Sequence, residues 1–358
     1  MKVDNAYIIV TGSLGLIGYE TTLLFLQKGY CVIGVDNDLR GKFFNIKTQY
    51  KSKLQFLNKH YSQTYIHHTC DIRNNAKMKR IFEAIGPGIM SIVHTAAQTS
   101  HDWAKKNPLL DFSVNAQATL NLLEFFRTYA PNASFVHCST NKVYGDLVNK
   151  LPFTKTKSRY DLLKSHQYYQ GIPESFSIDQ STHSLFGSSK VSADILVQEY
   201  GRYFHLKTGV FRLGVIAGEH QSGALEQGFL SYLVNEINTK KRFTIIGYAG
   251  FQVRDILHAK DIAQAFYLFI SNPSRGEVYN LGGGRKNTAS ILEILDYIKQ
   301  KISFSMRIEV LKKVRVGDHK WWITDFSKFQ KHYPTWSPSF SPYSIIDSII
   351  KYDQPGKV

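Results

Sequence analysis

The feature that most constrains this chain is the run Val10-Thr11-Gly12-Ser13-Leu14-Gly15-Leu16-Ile17-Gly18. A short apolar segment, Tyr7–Val10, precedes it, and a helix-compatible run follows to Lys28, closed by Gly29. A strand, a Gly-x-x-Gly-x-x-Gly turn and a helix bring backbone N–H groups and a helix N-terminus up to a pyrophosphate. The glycines permit the tight turn, the approach of the phosphates and close helix–strand packing. A second apolar run, Cys31–Val35, ends in Asp36. A carboxylate at the end of the second strand is placed to accept hydrogen bonds from a ribose diol.

Strand and helix patterns go on alternating. Tyr65–Cys70 reads as a third strand ending in Asp71-Ile72, and Asn74–Ile85 as a helix with Met78, Ile81, Phe82 and Ile85 on one face. Ile92–His94 is a fourth strand running into Thr95-Ala96-Ala97-Gln98, small residues that leave room for a ligand at the sheet's carboxyl edge. A helix spans Pro108 to about Tyr129, apolar on more than one side. Phe135–Cys138, Ser188–Phe204 and Thr208–Arg212 continue the alternation. Residues 37–60 read as a basic surface connection and residues 147–182 as a long polar excursion, a length that often carries function. Beyond Gly218 the elements shorten: helices near Phe229–Asn238, Asp261–Ser271 and Ser290–Lys301, and strands at Phe243–Ile246 and Val278–Leu281. The pattern predicts an α/β fold, a Rossmann-type doubly wound parallel sheet with a smaller C-terminal α/β substrate-binding lid. Residues 1–215 would be the dinucleotide-binding domain and 216–358 mainly the substrate-binding one.

At 358 residues the chain has enough length for a large core, and its 43% hydrophobic content argues against disorder. The three cysteines, each in a predicted strand, have no metal-ligand spacing and read as buried apolar residues of a reducing cytoplasm. The reading is of a cytoplasmic protein with no leader, no bound metal and no membrane partner, since no apolar run nears the ~20 residues that span a bilayer. The formal charge of +16 fits a solvated lysine-rich surface, a field that draws in a nucleotide substrate, or, as the weaker reading, RNA binding.

Together these residues spell a family. Thr11-Gly12-x-x-Gly15-x-x-Gly18, Asp36, Asp71-Ile72, His94-x-Ala96-Ala97, Asn115, Val143-Tyr144-Gly145, Lys190 and Arg254-Asp255-x-x-x-His258 resemble an extended short-chain dehydrogenase/reductase of the NAD-dependent epimerase/dehydratase kind. Within that family, Ser139–Leu147, Gly171-x-x-Glu174-Ser175, Gln227-Gly228 and Gln252–Ala259 are most similar to the CDP-paratose 2-epimerases. The resemblance implies a bound NAD that oxidises a sugar hydroxyl transiently and returns the hydride to the opposite face. It implies cofactor contacts at Gly12, Gly15, Leu16, Ile17, Asp36, Asn37, Asp71, Ile72, Thr95, Ala96, Ala97, Gln98, Asn115, Ser139 and Lys190. It implies catalytic roles for Thr140 and Lys190. A nucleotide diphosphate sugar, a CDP- or UDP-hexose, would meet Asn141, Lys142, Gln227, Arg254, Arg315 and Asp318. The helices Asn115–Tyr129 and Ser188–Phe204 are those that pair in a homodimer.

One departure matters. The family's Tyr-x-x-x-Lys motif stands here as Phe186-Gly187-Ser188-Ser189-Lys190. A phenyl ring has no proton to exchange, and general acid–base catalysis typically contributes ~10²–10⁴-fold. His183 is one candidate substitute, three residues earlier; a desolvated Lys190 and Glu174 are others. A related dehydratase or keto-sugar reductase, or a non-catalytic nucleotide-sugar or RNA binder, stays open beside the epimerase.

Overall fold

The computed structural model describes residues 6–223, 228–238, 242–301, 307–311, 314 and 316–353. Seven strands form the central sheet: β1 (Tyr7–Thr11), β2 (Cys31–Asp36), β3 (Tyr65–Thr69), β4 (Ile89–His94), β5 (Ser134–Thr140), β6 (Lys207–Leu213) and β7 (Glu277–Leu281). They lie in the order β7-β6-β5-β4-β1-β2-β3, and every pair is parallel. The reversal of direction on either side of β1 is the topological switch point of a doubly wound sheet. The expected fold class is therefore present, and the sheet takes its last strand from well beyond residue 215.

Both faces of the sheet are buried, which is why its strands read as apolar runs and not as alternating ones. Ile8 and Val10 face a core with Phe25 of helix α1 (Leu16–Gln27) and Phe266 and Phe269 of the helix Ala259–Ser271. Ile9, between them, faces the opposite core. There it meets Met78 and Phe82 of the helix Asn75–Ile85 and Leu122 and Phe126 of the helix Ala118–Tyr129. That last helix continues from Pro108–Phe112 through a π-turn, Ser113–Gln117, which places Asn115 in the widened turn. The helix carrying Phe186 and Lys190 runs from Ser184 to Tyr203, one turn longer at its start than its apolar spacing suggests.

Two expected loops are built differently. Residues 37–60 contain the helices Leu39–Phe44 and Tyr50–His60. The second is amphipathic: Leu57 is fully buried in the β1 core and Lys53 is buried as well. The high Lys content of this stretch masked the two inward positions. Residues 147–182 hold a short antiparallel pair, Thr154–Lys155 with Tyr160–Asp161. Val148, Leu162, Ile172 and Phe176 of this excursion pack under Trp321 and Trp322, so much of it is core.

The smaller part is organised around the strand Val253–His258. It pairs with Val215–Ala217 and Trp321–Trp322 in parallel and with Thr288–Ser290 antiparallel. The helices Phe229–Asn238, Ile291–Lys301 and Pro342–Asp353 share one core with it. Among the described residues, no helix is long and apolar enough to cross a membrane.

Candidate active site

A cleft of about 530 Å³ runs along the carboxyl edge of the sheet, between it and the smaller part. The glycine turn forms its floor. Gly12 has φ +69°, and a Cβ there would lie 2.8 Å from the Ala96 amide nitrogen. A Cβ on Gly18 would lie 2.1 Å from the Gly12 carbonyl oxygen. Gly15 caps α1 without a side chain, so the first amides of the helix have no side-chain acceptor and are left for an anion.

At one end Asp36 is fixed by two backbone donors, Leu14 N to Oδ2 and Asp38 N to Oδ1, each 2.9 Å. Burial pushes its carboxyl up from the ordinary carboxylate range, against the pull of those amides. Asn37, Asp71 and Ile72 line the wall beside it. Asp71 is gripped by Arg73 through two bonds of 2.7 and 2.9 Å, which lowers its pKa. Arg40, four residues beyond Asp36, donates to the Ser222 carbonyl at 2.6 Å. Lys53 is the residue that sequence reasoning missed. Its Nζ donates to the Leu14 carbonyl of the glycine turn at 3.0 Å and to the His220 carbonyl at 2.8 Å. Burial lowers its pKa to about 8. The only signal was the basic excess between Arg40 and Lys59.

In the middle, Thr95, Ala96, Ala97, Gln98, Ser139 and Thr140 line the cleft. The Thr140 hydroxyl accepts from Lys142 N at 3.2 Å at the open end of β5. Lys190 is buried behind it. Its Nζ donates to the Cys138 carbonyl at 2.6 Å and stands 3.4 Å from His137 Nε2. Desolvation lowers its pKa from 10.5 to about 8. Phe186, one turn earlier on the same helix, presents its ring to the cleft, where His101 lies edge-on against it.

At the far end Lys142, Arg254 and Asp318 form a cluster with one excess positive charge. Lys142 Nζ and an Arg254 guanidinium nitrogen reach the same Asp318 oxygen at 3.1 and 2.9 Å. Burial alone would raise the Asp318 carboxyl, but the two cations outweigh it and hold it well below the usual range. Two cations sharing one carboxylate oxygen suit a second anion placed opposite.

The cleft thus collects Gly12, Gly15, Leu16, Ile17, Asp36, Asn37, Asp71, Ile72, Thr95, Ala96, Ala97, Gln98, Ser139, Thr140, Asn141, Lys142, Lys190, Arg254 and Asp318. Three expected residues are elsewhere. Asn115 does not line the cleft: its amide bonds both backbone groups of Gln98, at 2.9 and 3.0 Å, and Ser189 Oγ at 3.0 Å. It pins the β4 exit loop to the Lys190 helix, as the packing of those two segments requires. Glu174 is drawn away by the Asn280 amide, 2.7 Å off, and its pKa is raised by burial. His183 precedes the Phe186 helix, outside the cleft lining, with Nε2 3.5 Å from Ser181 Oγ and no side-chain bond to the helix amides. Gln227 and Arg315 lie outside the described residues. The Arg254–His258 segment is partly structural: Asp255 accepts from the amides of Gly284 and Thr324, each 3.0 Å, and His258 bonds Glu219 at 2.9 Å.

A dinucleotide fits this chain's residues: uncapped amides and side-chain-free turns at one place, a two-oxygen acceptor at the end of β2, and small residues between. The profile of the NAD-dependent epimerase/dehydratase family matches residues 8–282. The chain is 33% identical over 344 residues to a CDP-paratose 2-epimerase of Salmonella typhi, covering 93% of this chain and 95% of that protein. It is 26% identical over 305 residues to a dTDP-glucose 4,6-dehydratase of Salmonella typhimurium, covering 82% of this chain and 77% of that one. In fold it is similar to a Thermus thermophilus UDP-glucose 4-epimerase solved with NAD, with a TM-score of 0.77 at 22% identity, covering 98% of this chain and all of that one.

Proposed function

Because the chain belongs to the NAD-dependent epimerase/dehydratase family, we propose that it is a nucleotide-sugar epimerase using NAD, akin to the CDP-paratose 2-epimerases. The observation that carries this reading is that one cleft is lined by a ribose acceptor, Asp36, by the Thr140 hydroxyl with Lys190 buried behind it, and by an anion clamp, Lys142 with Arg254. Those are the parts that a dinucleotide and a diphospho-sugar need in one site.

The nicotinamide, when bound, supplies a reversible hydride acceptor at the reacting carbon. The chain's own residues do the rest. The amides of the glycine turn and the start of α1 hold the pyrophosphate, with Lys53 adding charge from below. Asp36 accepts from the adenosine ribose, and a 2′-phosphate beside that carboxylate would be repelled, which favours NAD over NADP. Thr140 orients the sugar hydroxyl. The Lys142–Asp318–Arg254 cluster attracts the sugar diphosphate and fixes its distance from Thr140. Asn141, Gln227 and Arg315 are assigned to the same substrate end.

Assembly belongs to the same proposal. Leu109, Phe112 and Ile195 are exposed on the helix run that begins at Pro108 and on the Lys190 helix, at 88%, 48% and 43%. These are the elements that would meet in a homodimer, and sedimentation at micromolar concentration checks it. A membrane partner and nucleic acid form no part of the reading.

The experiment incubates the protein and NAD with CDP- and UDP-hexoses and follows the C2 and C4 configuration by NMR. An isomer of unchanged mass supports the reading. A product lighter by one water favours the dehydratase alternative. The protein binding none of these sugars and changing none refutes it.

A further inference from the structure

We propose that the imidazole of His101 is the group that exchanges the proton of the substrate's reacting hydroxyl, the part for which the Phe186 ring has no atom. The inference deepens the epimerase reading and rests on it. His101 opens the helix His101–Lys106 and lines the same cleft as Thr140, Phe186 and Lys190. Its ring lies edge-on to the Phe186 ring, centroids 5.1 Å apart and planes at 70°. A side chain in van der Waals contact with that ring borders the place where a phenol on residue 186 would deliver its oxygen.

The imidazole is held, not merely near. Nδ1 is 2.8 Å from Ser184 Oγ, and that hydroxyl accepts from the Gly187 amide at 3.2 Å, so it is fixed to the first turn of the Phe186 helix. The backbone that presents His101 is fixed from beneath. Gln98 donates to the Ser100 carbonyl at 2.9 Å and to Asp111 at 2.6 Å, both inside the protein. A general base whose ring is oriented by a third group and whose main chain rests on a buried network meets the geometric requirement for proton transfer.

The other candidates are placed differently. His183 is outside the cleft lining. Lys190 spends its ammonium on the Cys138 carbonyl, and in its charged form it has no lone pair to accept a proton. The exchange is assigned to Nε2, across the ring from the nitrogen that meets Ser184. In the forward step the hydroxyl O–H breaks and its proton goes to Nε2, while the C–H bond breaks and its electron pair leaves as hydride to the nicotinamide dinucleotide, forming the C=O bond. In the reverse step hydride returns to the opposite face of that carbon and Nε2 gives its proton back to the oxygen. Nothing is consumed.

The test uses the full chain with bound cofactor, CDP-paratose and UDP-glucose as probes, stopped-flow absorbance at 340 nm for cofactor reduction, and calorimetry for CDP and UDP affinity. His101→Gln is expected to slow reduction by ~100-fold while nucleotide affinity stays within threefold. Adding Phe186→Tyr to it is expected to restore at least tenfold, since the phenol then supplies the missing proton. His183→Gln is expected to stay within threefold of the wild type. Reduction by His101→Gln within threefold of the wild type overturns the role of His101 and leaves the epimerase reading standing. Loss of nucleotide affinity in step with rate, or no restoration by Phe186→Tyr, also overturns it. A wild type that binds neither nucleotide and reduces no cofactor with either sugar overturns both.

Discussion

Replacing Lys190 by methionine should make the cofactor-free protein more stable at pH 7 while removing its capacity for catalysis. The lysine is buried, its ammonium meets the Cys138 carbonyl and His137, and its pKa falls from 10.5 unfolded to about 8 folded. The folded state therefore holds the proton less tightly than the unfolded chain. Between pH 8 and 10.5 the unfolded chain carries the extra proton, so stability rises with pH across that window; below it the full penalty is present. A difference of 2.5 pH units corresponds to a penalty of about 3 kcal/mol at pH 7, falling to about 1 kcal/mol at pH 9.5. Methionine fills the same narrow channel without charge. It abandons the Cys138 carbonyl, a loss of about 1–2 kcal/mol. The variant should exceed the wild type by about 1–2 kcal/mol at pH 7, and the gap should shrink by about 2 kcal/mol by pH 9.5. Urea unfolding followed by the fluorescence of the buried Trp321, Trp322 and Trp336 measures both numbers. A variant less stable than the wild type at pH 7, or a gap that does not change with pH, would refute the reasoning.

Four further outcomes follow from the same geometry. Gly18→Ala places a methyl 2.1 Å from the Gly12 carbonyl. It should cost about 1–3 kcal/mol in thermal or urea unfolding, with loss of NAD binding measured by calorimetry. Lys53→Met removes an ammonium bonded to the glycine turn, and should weaken NAD binding by roughly tenfold in the same calorimetric titration. Asp36→Asn should weaken NAD more than NADP, so the ratio of the two affinities falls; an unchanged ratio would sink the ribose assignment. Thr140→Val removes the hydroxyl at the end of β5 and should lower kcat by ~10²-fold with KM little changed, read from epimerisation rates.

The Gly12–Gly18 turn, Asp36 and the Lys190 helix were legible because backbone geometry and cofactor chemistry restrict those positions to few residue types. The apolar strands were legible because a parallel sheet buries both faces. Lys53 was not, since a lysine in a basic stretch reads as solvated, and only the fold brings its Nζ beneath Leu14. His101 was not, because its meaning depends on Phe186, eighty-five positions away in the chain. Glu174 and Asn115 stayed ambiguous for the converse reason: a polar residue in a familiar motif is as well suited to pinning backbone as to touching a ligand. Residues 37–60 concealed two helices because both are short and the second buries only Lys53 and Leu57.

The most direct test of the central claim uses a CDP-hexose deuterated at every ring carbon and the protein with its bound cofactor. Absorbance at 340 nm and product mass are recorded through one turnover. The account predicts a transient rise at 340 nm and a product isomer of unchanged mass that keeps all its deuterium, because the hydride taken from the carbon is the one returned. Deuterium lost to solvent, a product lighter by one water, or no absorbance change during conversion would contradict it.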